Sequence, residues 1–187
     1  SHTFYTQHTE EFYDFYKNKM IFLDAKPNKA HLKLAEMEQA GKLSAIVTQN
    51  IDGLHQAAGS KNVFELHGSV HRNYCQKCGK FFDVNYVVNA KGVPYCDECG
   101  GIIKPDVVLY EEGLDSQTIN GAVRAISKAD MLIIGGTSLV VYPAAGMIDY
   151  FKGKYLAVLN RDATSRDKQA DLCITDPIGE VLGRIRV

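Results

Sequence analysis

Length, composition and charge place the chain among ordinary globular proteins and exclude two classes. Its 187 residues, 45% apolar and 23% charged, suit one good core, or a main domain with a small appendage. The net charge of −1 argues against a protein that wraps nucleic acid, and the lack of any apolar run of about 18 residues argues against a membrane span.

Two helices and a strand are predicted in the first part of the chain. Aromatic residues recur at helical spacing over residues 10–20, which indicates an amphipathic helix. Asn28 can cap a second helix over residues 29–40, and Gly41 ends it. The apolar run at residues 43–47 then predicts the first clear strand.

Polar side chains follow two successive apolar runs, at the points where buried strands are predicted to end. Gln49, Asn50 and Asp52 come after the first strand, and His67 comes after a second apolar run at residues 63–66. Amide and carboxylate groups suit hydroxyls or a carboxamide, and histidine titrates near neutral pH. Because ligands of open α/β sheets bind at the carboxyl ends of strands, the pattern predicts a site for a sugar-bearing ligand with one acid–base residue.

The same residues also admit a purely structural interpretation. In this interpretation, the sole role of Asn50 and Asp52 is to cap a helix through Leu54 and Gln56, and His67 is a core histidine whose hydrogen bonds are satisfied. For any one residue this simpler interpretation is preferable. The presence of four polar residues at two successive strand ends favours the binding site.

Residues 71–101 predict a small zinc-binding subdomain. Two Cys-x-x-Cys pairs, Cys75 with Cys78 and Cys96 with Cys99, supply four thiolates, and a glycine closely follows each pair. Two disulfides or free thiols are the alternative, which the composition disfavours. Four cysteine ligands leave no open coordination position, so the zinc is expected to be structural. With no secretory signal visible, this cysteine usage fits a reducing compartment, and the cytoplasm is the predicted location.

The second half of the chain predicts a second binding loop among alternating helices and strands. A strand at 131–134 ends in Gly-Gly-Thr-Ser at 135–138, and a helix over 143–150 begins with a first-turn proline. Glycines, hydroxyls and a helix amino terminus suit a phosphate or ribose, although the signal is weaker than a full dinucleotide fingerprint. A strand at Tyr155–Leu159 follows, with Asn160 at its tip, where a ribose-binding residue is expected. The other predicted elements are an extended segment at 103–109, a helix at 115–128, a strand at 171–174 and a closing helix at 178–185.

Taken in their order, these motifs resemble the sirtuins, which are NAD-dependent protein deacylases. The match covers nearly the whole chain, and the tandem of Thr-Gln-Asn-Ile-Asp with Leu-His-Gly is highly specific. The matching segments are Ala-Lys-Pro-Asn at 25–28 with His31, Thr-Gln-Asn-Ile-Asp-Gly-Leu-His at 48–55, Glu-Leu-His-Gly at 65–68, the four cysteines, Lys-Pro-Asp-Val-Val at 104–108, Gly-Thr-Ser-Leu at 136–139 and Pro-Ala-Ala at 143–145. The resemblance implies an α/β fold: a Rossmann-like, doubly wound parallel sheet from residues 1–70 and 102–187, with a zinc-ribbon subdomain at 71–101.

The resemblance also implies the reaction and its partners. The protein would deacylate an acyl-lysine protein or peptide with NAD, producing nicotinamide, lysine and an O-acyl-ADP-ribose. His67, with a reference pKa of about 6.5, would be the general base on a ribose hydroxyl. Val107 and Val108 would pair with the substrate peptide as an added strand. The residues implied to contact NAD are Gln49, Asn50, Ile51, Asp52, His67, Gly136, Thr137, Ser138, Asn160, Cys173 and Ile174.

These implied contacts divide between the two ends of NAD. Gln49 and Asn50 would contact the nicotinamide-side ribose, and Asp52 would accept from the carboxamide. The loop at 136–138 would hold phosphate and ribose, and Asn160 would hold the adenine-side ribose. Cys173 and Ile174 would lie along the edge of the adenine.

The sequence departs from the sirtuin pattern in two places. Sirtuins begin with a strand and a Gly-Ala-Gly-Ile-Ser loop that holds phosphates and covers the nicotinamide, and nothing like it precedes Ser1. We therefore expect the chain to be a truncated form, a proteolysed product or only the ordered part of the enzyme, which by itself binds NAD weakly and is a poor enzyme or none. Where sirtuins typically show Phe-Gly-Glu before the peptide groove, this chain has Tyr-Glu-Glu at 110–112.

Two other functions remain open at the level of sequence. One is a zinc-stabilised NAD- or protein-binding module that has lost its catalytic loop. The other keeps NAD but transfers ADP-ribose to protein. The presence of the glycine loop upstream of Ser1 in the natural polypeptide would separate the enzyme from the binding module.

Overall fold

The computed structural model describes residues 1–187, which divide into two units. The first unit comprises Ser1–Ala25, Gln49–Gly53 and His67–Leu114. The second comprises Lys26–Thr48, Leu54–Leu66 and Asp115–Val187. The predicted zinc-binding segment, residues 71–101, lies wholly within the first unit.

Helices and short strands alternate along much of the chain. The helices are α1 (His2–Gln7), α2 (Thr9–Lys19), α3 (Lys29–Gln39), α4 (Leu54–Ala57), α5 (Val84–Asn89), α6 (Ser116–Lys128) and α7 (Ile178–Gly183), with 3₁₀ helices at Ala144–Tyr150 and Asp167–Gln169. The strands are β1 (Ile46–Thr48), β2 (Val63–Glu65), β3 (Gly68–Cys75), β4 (Phe81–Phe82), β5 (Ile103–Val107), β6 (Met131–Gly135), β7 (Tyr155–Leu159) and β8 (Leu172–Ile174). None of the helices combines the length and the apolar character needed to cross a membrane.

The first unit is built on an antiparallel sheet with the strand order β4-β3-β5. Its core joins aromatic residues of α1 and α2 to apolar residues of the sheet and of the cysteine segment. Tyr13 and Tyr16 of α2 are completely buried. The hydroxyl of Tyr13 donates to the carbonyl of Ile103, so the buried polar tip of this ring is satisfied by β5.

The second unit contains only parallel strand pairing. β1 pairs with β2, and β6, β7 and β8 form a second sheet in that order. β7 lies in the middle of its sheet, and Leu156 to Leu159 are all buried, as expected for a strand covered on both faces. Helices α3 and α7 pack against this sheet through an apolar cluster centred on Leu159 and Leu182.

The predicted limits of the second helix are confirmed. The side chain of Asn28 accepts hydrogen bonds from the N–H groups of Ala30 at 2.9 Å and His31 at 3.2 Å, so it caps α3. At the other end, Gly41 adopts a left-handed φ of 69°, and the N–H of Lys42 donates to the carbonyl of Met37. This is a glycine-terminated helix end.

Three of the differences from the sequence-based prediction have a clear local cause. The strand predicted at 43–47 begins only at Ile46, because the N–H of Leu43 is still bonded to the last turn of α3. The helix predicted at 143–150 is a 3₁₀ helix, with the N–H of Gly146 donating to the carbonyl of Pro143. Strand β3 was not predicted, because an irregularity in its middle interrupts the alternation of buried and exposed residues.

Candidate active site

The two polar clusters predicted from the sequence follow neighbouring parallel strands. β1 and β2 pair in register over three residues each, and the N–H of Leu66 extends the pairing by donating to the carbonyl of Thr48 at 2.9 Å. Neighbouring parallel strands end at the same edge of a sheet. Gln49, which follows β1, and His67, which follows β2, are therefore delivered close together.

A single hydrogen bond defines the protonation pattern of the His67 ring. Its Nδ1 lies 3.0 Å from the carbonyl oxygen of Gln49. A carbonyl oxygen can only accept, so Nδ1 carries the hydrogen and Nε2 of the neutral ring carries the lone pair. The side chain is half-buried. His67 is thus oriented and set in the tautomer that a general base requires.

The loop at Gln49–Gly53 is also tied down next to His67. The N–H of Val70 in β3 donates to the carbonyl of Ile51 at 3.0 Å, and Ile51 packs against the core of the first unit. The carbonyls of Gln49 and Ile51 are thus both held by the segment that follows β2. Asn50 and Asp52, the other predicted ligands of this loop, belong to a backbone fixed at these two points.

Gly68 connects His67 closely to β5. The N–H of Val108 donates to the carbonyl of His67 at 3.0 Å, and Gly68 pairs with Val107. Gly68 has a φ of 74°, and a Cβ at this position would lie 1.8 Å from the carbonyl oxygen of Asp106. Only glycine permits this approach, so the backbone of the predicted base is fastened directly to the predicted peptide strand.

Lys104 of β5 forms an ion pair with Glu112 that was not predicted from the sequence. The Nζ of Lys104 donates to the carbonyl of Val107 at 3.2 Å and lies 3.1 Å from a carboxylate oxygen of Glu112. The same oxygen accepts the N–H of Leu109 at 2.9 Å. Both side chains are about one-fifth exposed, so this pair fixes the backbone on either side of Val108. A lysine and a glutamate eight residues apart, flanking a strand end, are the only sequence signal for it.

Glu111, which stands where the sirtuin pattern has a glycine, keeps a glycine-like backbone. Its φ is 78°, in the left-handed region that costs other residues about 1–2 kcal/mol. Its carboxylate accepts hydrogen bonds from the backbone N–H of Thr3 at 2.8 Å and from the Thr3 hydroxyl at 2.7 Å. These bonds lower the pKa of Glu111, the hydroxyl contributing most, and tie the loop to α1.

In the second unit, the predicted residues for the other end of NAD share one sheet edge. Gly135 of β6 pairs with Leu159 of β7, which in turn pairs with Ile174 of β8. Backbone pairing continues just beyond the strands. The N–H of Gly136 donates to the carbonyl of Leu159 at 3.2 Å, and the N–H of Asn160 donates to the carbonyl of Ile174 at 3.1 Å. Gly136, Asn160 and Ile174 therefore lie together at the carboxyl edge.

The loop after β6 is a tight polar turn. The hydroxyl of Thr137 accepts the N–H of Leu139 at 3.2 Å, while Gly136 and Leu139 both have left-handed φ values. Ser138 is exposed between them, and Cys173 is exposed on β8. The helical turn that follows begins only at Ala144, so the predicted helix amino terminus does not directly adjoin this loop.

The four predicted zinc ligands form one cluster. Their sulfur atoms all lie within 4.8 Å of one another, with Cys75 and Cys99 at 3.4 Å and Cys78 and Cys96 at 3.7 Å. Tetrahedral zinc with Zn–S bonds of about 2.3 Å places its sulfurs about 3.8 Å apart. The donor set and spacing therefore fit zinc, and none of the four cysteines forms a disulfide.

One of these thiols is already set up to ionise. Hydrogen bonds from the backbone, chiefly the N–H of Cys78 and also that of Lys77, lower the pKa of Cys75 to about 6. A thiolate is the form that binds metal. Because four sulfurs complete a tetrahedral shell, zinc here would stabilise the segment around β3, β4 and α5 and would have no position for a substrate.

Parallel strands with polar ligands at their carboxyl edges, together with a closed four-cysteine cluster, define a Rossmann-like nucleotide-binding protein with a structural metal site. A family model described as the Sir2 family matches residues 1–143. The chain belongs to this family, and the predicted sirtuin resemblance is confirmed.

Relatives and solved structures agree with this assignment. The chain is 66% identical to an NAD-dependent protein deacetylase of Clostridium acetobutylicum over 183 residues, which covers 97% of this chain and 75% of the relative. It is 63% identical to an NAD-dependent protein deacetylase of Clostridium perfringens, covering 99% of this chain and 76% of the relative. A complex of Sir2 with a p53 peptide and NAD+ superposes with a TM-score of 0.92 at 40% identity, covering 98% of this chain and 79% of that one. The predicted fold class is thereby confirmed.

Proposed function

We propose that this protein is an NAD-dependent protein lysine deacetylase, with nicotinamide, deacylated lysine and O-acyl-ADP-ribose as its products. The observation that carries the proposal is the position of His67, whose Nδ1–H is bound to Gln49 so that Nε2 is available as a base. The two clostridial relatives bear the name of this activity. Sir2 structures with NAD+ and with an acetylated peptide, at about 40% identity, add independent support.

The loop at Gln49–Gly53 and His67 would serve the reacting end of the cofactor. When bound, NAD supplies an electrophilic ribose carbon with nicotinamide as its leaving group. Gln49 and Asn50 would hold the ribose, Asp52 would accept from the carboxamide, and Ile51 would line the pocket. The Nε2 of His67 would take the proton from a ribose hydroxyl, which makes that oxygen nucleophilic toward the acyl group.

The predicted residues at the carboxyl edge of β6, β7 and β8 would bind the remainder of NAD. The N–H of Gly136 is already bonded to Leu159, and the remaining polar groups of the loop Gly136, Thr137 and Ser138 would contact phosphate and ribose oxygens. The observation supporting this is the shared edge of β6, β7 and β8. Asn160 lies on that edge and would bind the adenine-side ribose, with Cys173 and Ile174 beside the adenine.

The acyl-lysine peptide would bind along the segment of Val107 and Val108. β5 is an outer strand of its sheet, which is the usual requirement for strand addition. The carbonyl of Val107 already accepts from Lys104, and the N–H of Val108 is bonded to His67. An added strand would therefore use the remaining backbone groups of this segment, next to the base.

Product analysis tests the proposal. The full-length protein is incubated with NAD and an acetyl-lysine peptide, and the peptide and nucleotide products are identified by mass spectrometry. We expect equal amounts of nicotinamide, deacetylated peptide and O-acetyl-ADP-ribose, with no reaction when NAD is omitted. A peptide that keeps its acetyl group and gains ADP-ribose would identify a transferase instead, and an inert mixture would leave the binding-module hypothesis.

A further inference from the structure

Strand β3 contains a large bulge opposite β5. Ser69 pairs with Asp106 and Asn73 pairs with Pro105, so four steps along β3 correspond to one step along β5. Residues 70–72 are the surplus and have no ladder partner on β5. Bulges re-aim side chains and are common beside active sites.

Side chains buried at both ends hold the bulge in place. The hydroxyl of Ser69, which is 2% exposed, accepts the N–H of His71 at 3.2 Å. The side-chain amide of Asn73, which is fully buried, donates to the carbonyl of Val70 at 3.2 Å and to that of Phe82 at 3.3 Å. The shape of the bulge is thus fixed by side-chain hydrogen bonds.

The bulge presents His71 to the loop that carries the nicotinamide-side residues. The Nε2 of His71 lies 3.0 Å from the carbonyl oxygen of Asp52, and because a carbonyl only accepts, Nε2 is the donor. The ring also rests on Gly53, whose φ is 69° and where a Cβ would lie 2.8 Å from Cδ2 of His71. With Val70 bonded to Ile51, two consecutive bulge residues hold two consecutive carbonyls of the loop.

We propose that His71 is a positioning residue for the nicotinamide side of the cofactor site. By donating to Asp52 and covering Gly53, it fixes the end of the Gln49–Gly53 loop that neither His67 nor Val70 reaches. His71 holds the loop before the cofactor binds, so NAD should lose less binding free energy in ordering the loop. The proposal rests on the proposed function, since it takes Asn50 and Asp52 to be NAD ligands.

Three variants, made in the full-length protein, separate the hydrogen bond from the ring packing. His71→Gln keeps an amide donor, His71→Phe keeps a ring over Gly53 without a donor, and His71→Ala removes both. We expect the KM for NAD to rise about 2- to 10-fold in His71→Phe, the worth of one net hydrogen bond, and more in His71→Ala. His71→Gln should stay within about twofold of wild type. The matched control His8→Phe changes a histidine whose ring is bound to Glu11 on α2, and it should leave the KM unchanged.

The proposal is tested by which kinetic constants change in the variants. The KM for NAD should change while kcat, the KM for an acetyl-lysine peptide and the melting temperature stay close to wild type. A wild-type KM for NAD in both His71→Phe and His71→Ala would overturn the proposal. Parallel losses in the KM for NAD, the KM for the peptide and the melting temperature would also overturn it, since they would indicate a general structural role.

Two further measurements keep the test decisive. If His71→Ala folds poorly, the NAD affinity of His71→Phe and His71→Gln, measured by calorimetry, still distinguishes donor from ring. Equal affinities in these two would overturn the role of the hydrogen bond. Failure of the proposed function itself would appear differently, as a wild-type protein that does not consume NAD with the acetylated peptide.

Discussion

Replacing Gly68 by alanine should destabilise the first unit far more than the same change at an open glycine. The left-handed backbone at Gly68 costs alanine about 1–2 kcal/mol. The new Cβ would lie 1.8 Å from the carbonyl oxygen of Asp106, so β3 and β5 must also separate. Overpacking of this kind costs about 1–3 kcal/mol, which gives a total of about 2–5 kcal/mol for Gly68→Ala.

The matched control is Gly92→Ala in the same unit. Gly92 has a similar φ of 66°, but nothing lies within 4 Å of its Cβ position, so only the backbone cost of about 1–2 kcal/mol applies. Urea unfolding followed by circular dichroism gives both free energies of unfolding. Equal losses in the two variants would refute the reasoning that close approach to β5 makes glycine necessary beside His67.

Two further predictions concern the zinc cluster and a helix cap. Cys96→Ala should lose bound zinc, measured with a chelating dye, and should lower activity only through unfolding of residues 74–101; retention of both the metal and the melting temperature would contradict a structural zinc. The pKa of Asp115 is lowered because the N–H and hydroxyl of Thr118 donate to its carboxylate. The ionised Asp115 carboxylate should therefore contribute fully to the free energy of unfolding above its unfolded-state pKa of about 3.9. This contribution should be lost as the pH falls through its lower pKa in the folded protein. Asparagine caps without titrating, so Asp115→Asn should remove this acid-dependent part of the unfolding free energy. An unchanged acid slope in Asp115→Asn would show that the Asp115 carboxylate does not make stability pH-dependent.

The parts of the site that follow from local chemistry were predictable from the sequence. Apolar runs followed by Gln49 and by His67 indicated two strand ends, because buried parallel strands appear in a sequence as continuous apolar stretches. The spacing of the cysteines indicated one tetrahedral cluster, and Asn28 indicated a helix cap. Each of these signals depends on residues close together in the chain.

The parts that depend on long-range pairing were not predictable. The bulge in β3 arises from its pairing with β5, and it disrupts the alternation by which a strand is recognised. Asn73 is fully buried because it holds that bulge, although asparagine in a sequence suggests a turn. Likewise, the left-handed backbone of Glu111 depends on Thr3, which lies at the other end of the first unit's sequence.

The most direct test of the central claim compares two partial reactions in His67→Ala. If His67 acts as the base on a ribose hydroxyl, it is needed after nicotinamide has left and not before. Deacetylation of an acetyl-lysine peptide should fall by about 10²–10⁴-fold, while exchange of labelled nicotinamide into NAD and the affinity for NAD remain. Losses of exchange and NAD affinity as large as the loss of deacetylation would show that His67 is a binding residue and would contradict the mechanism.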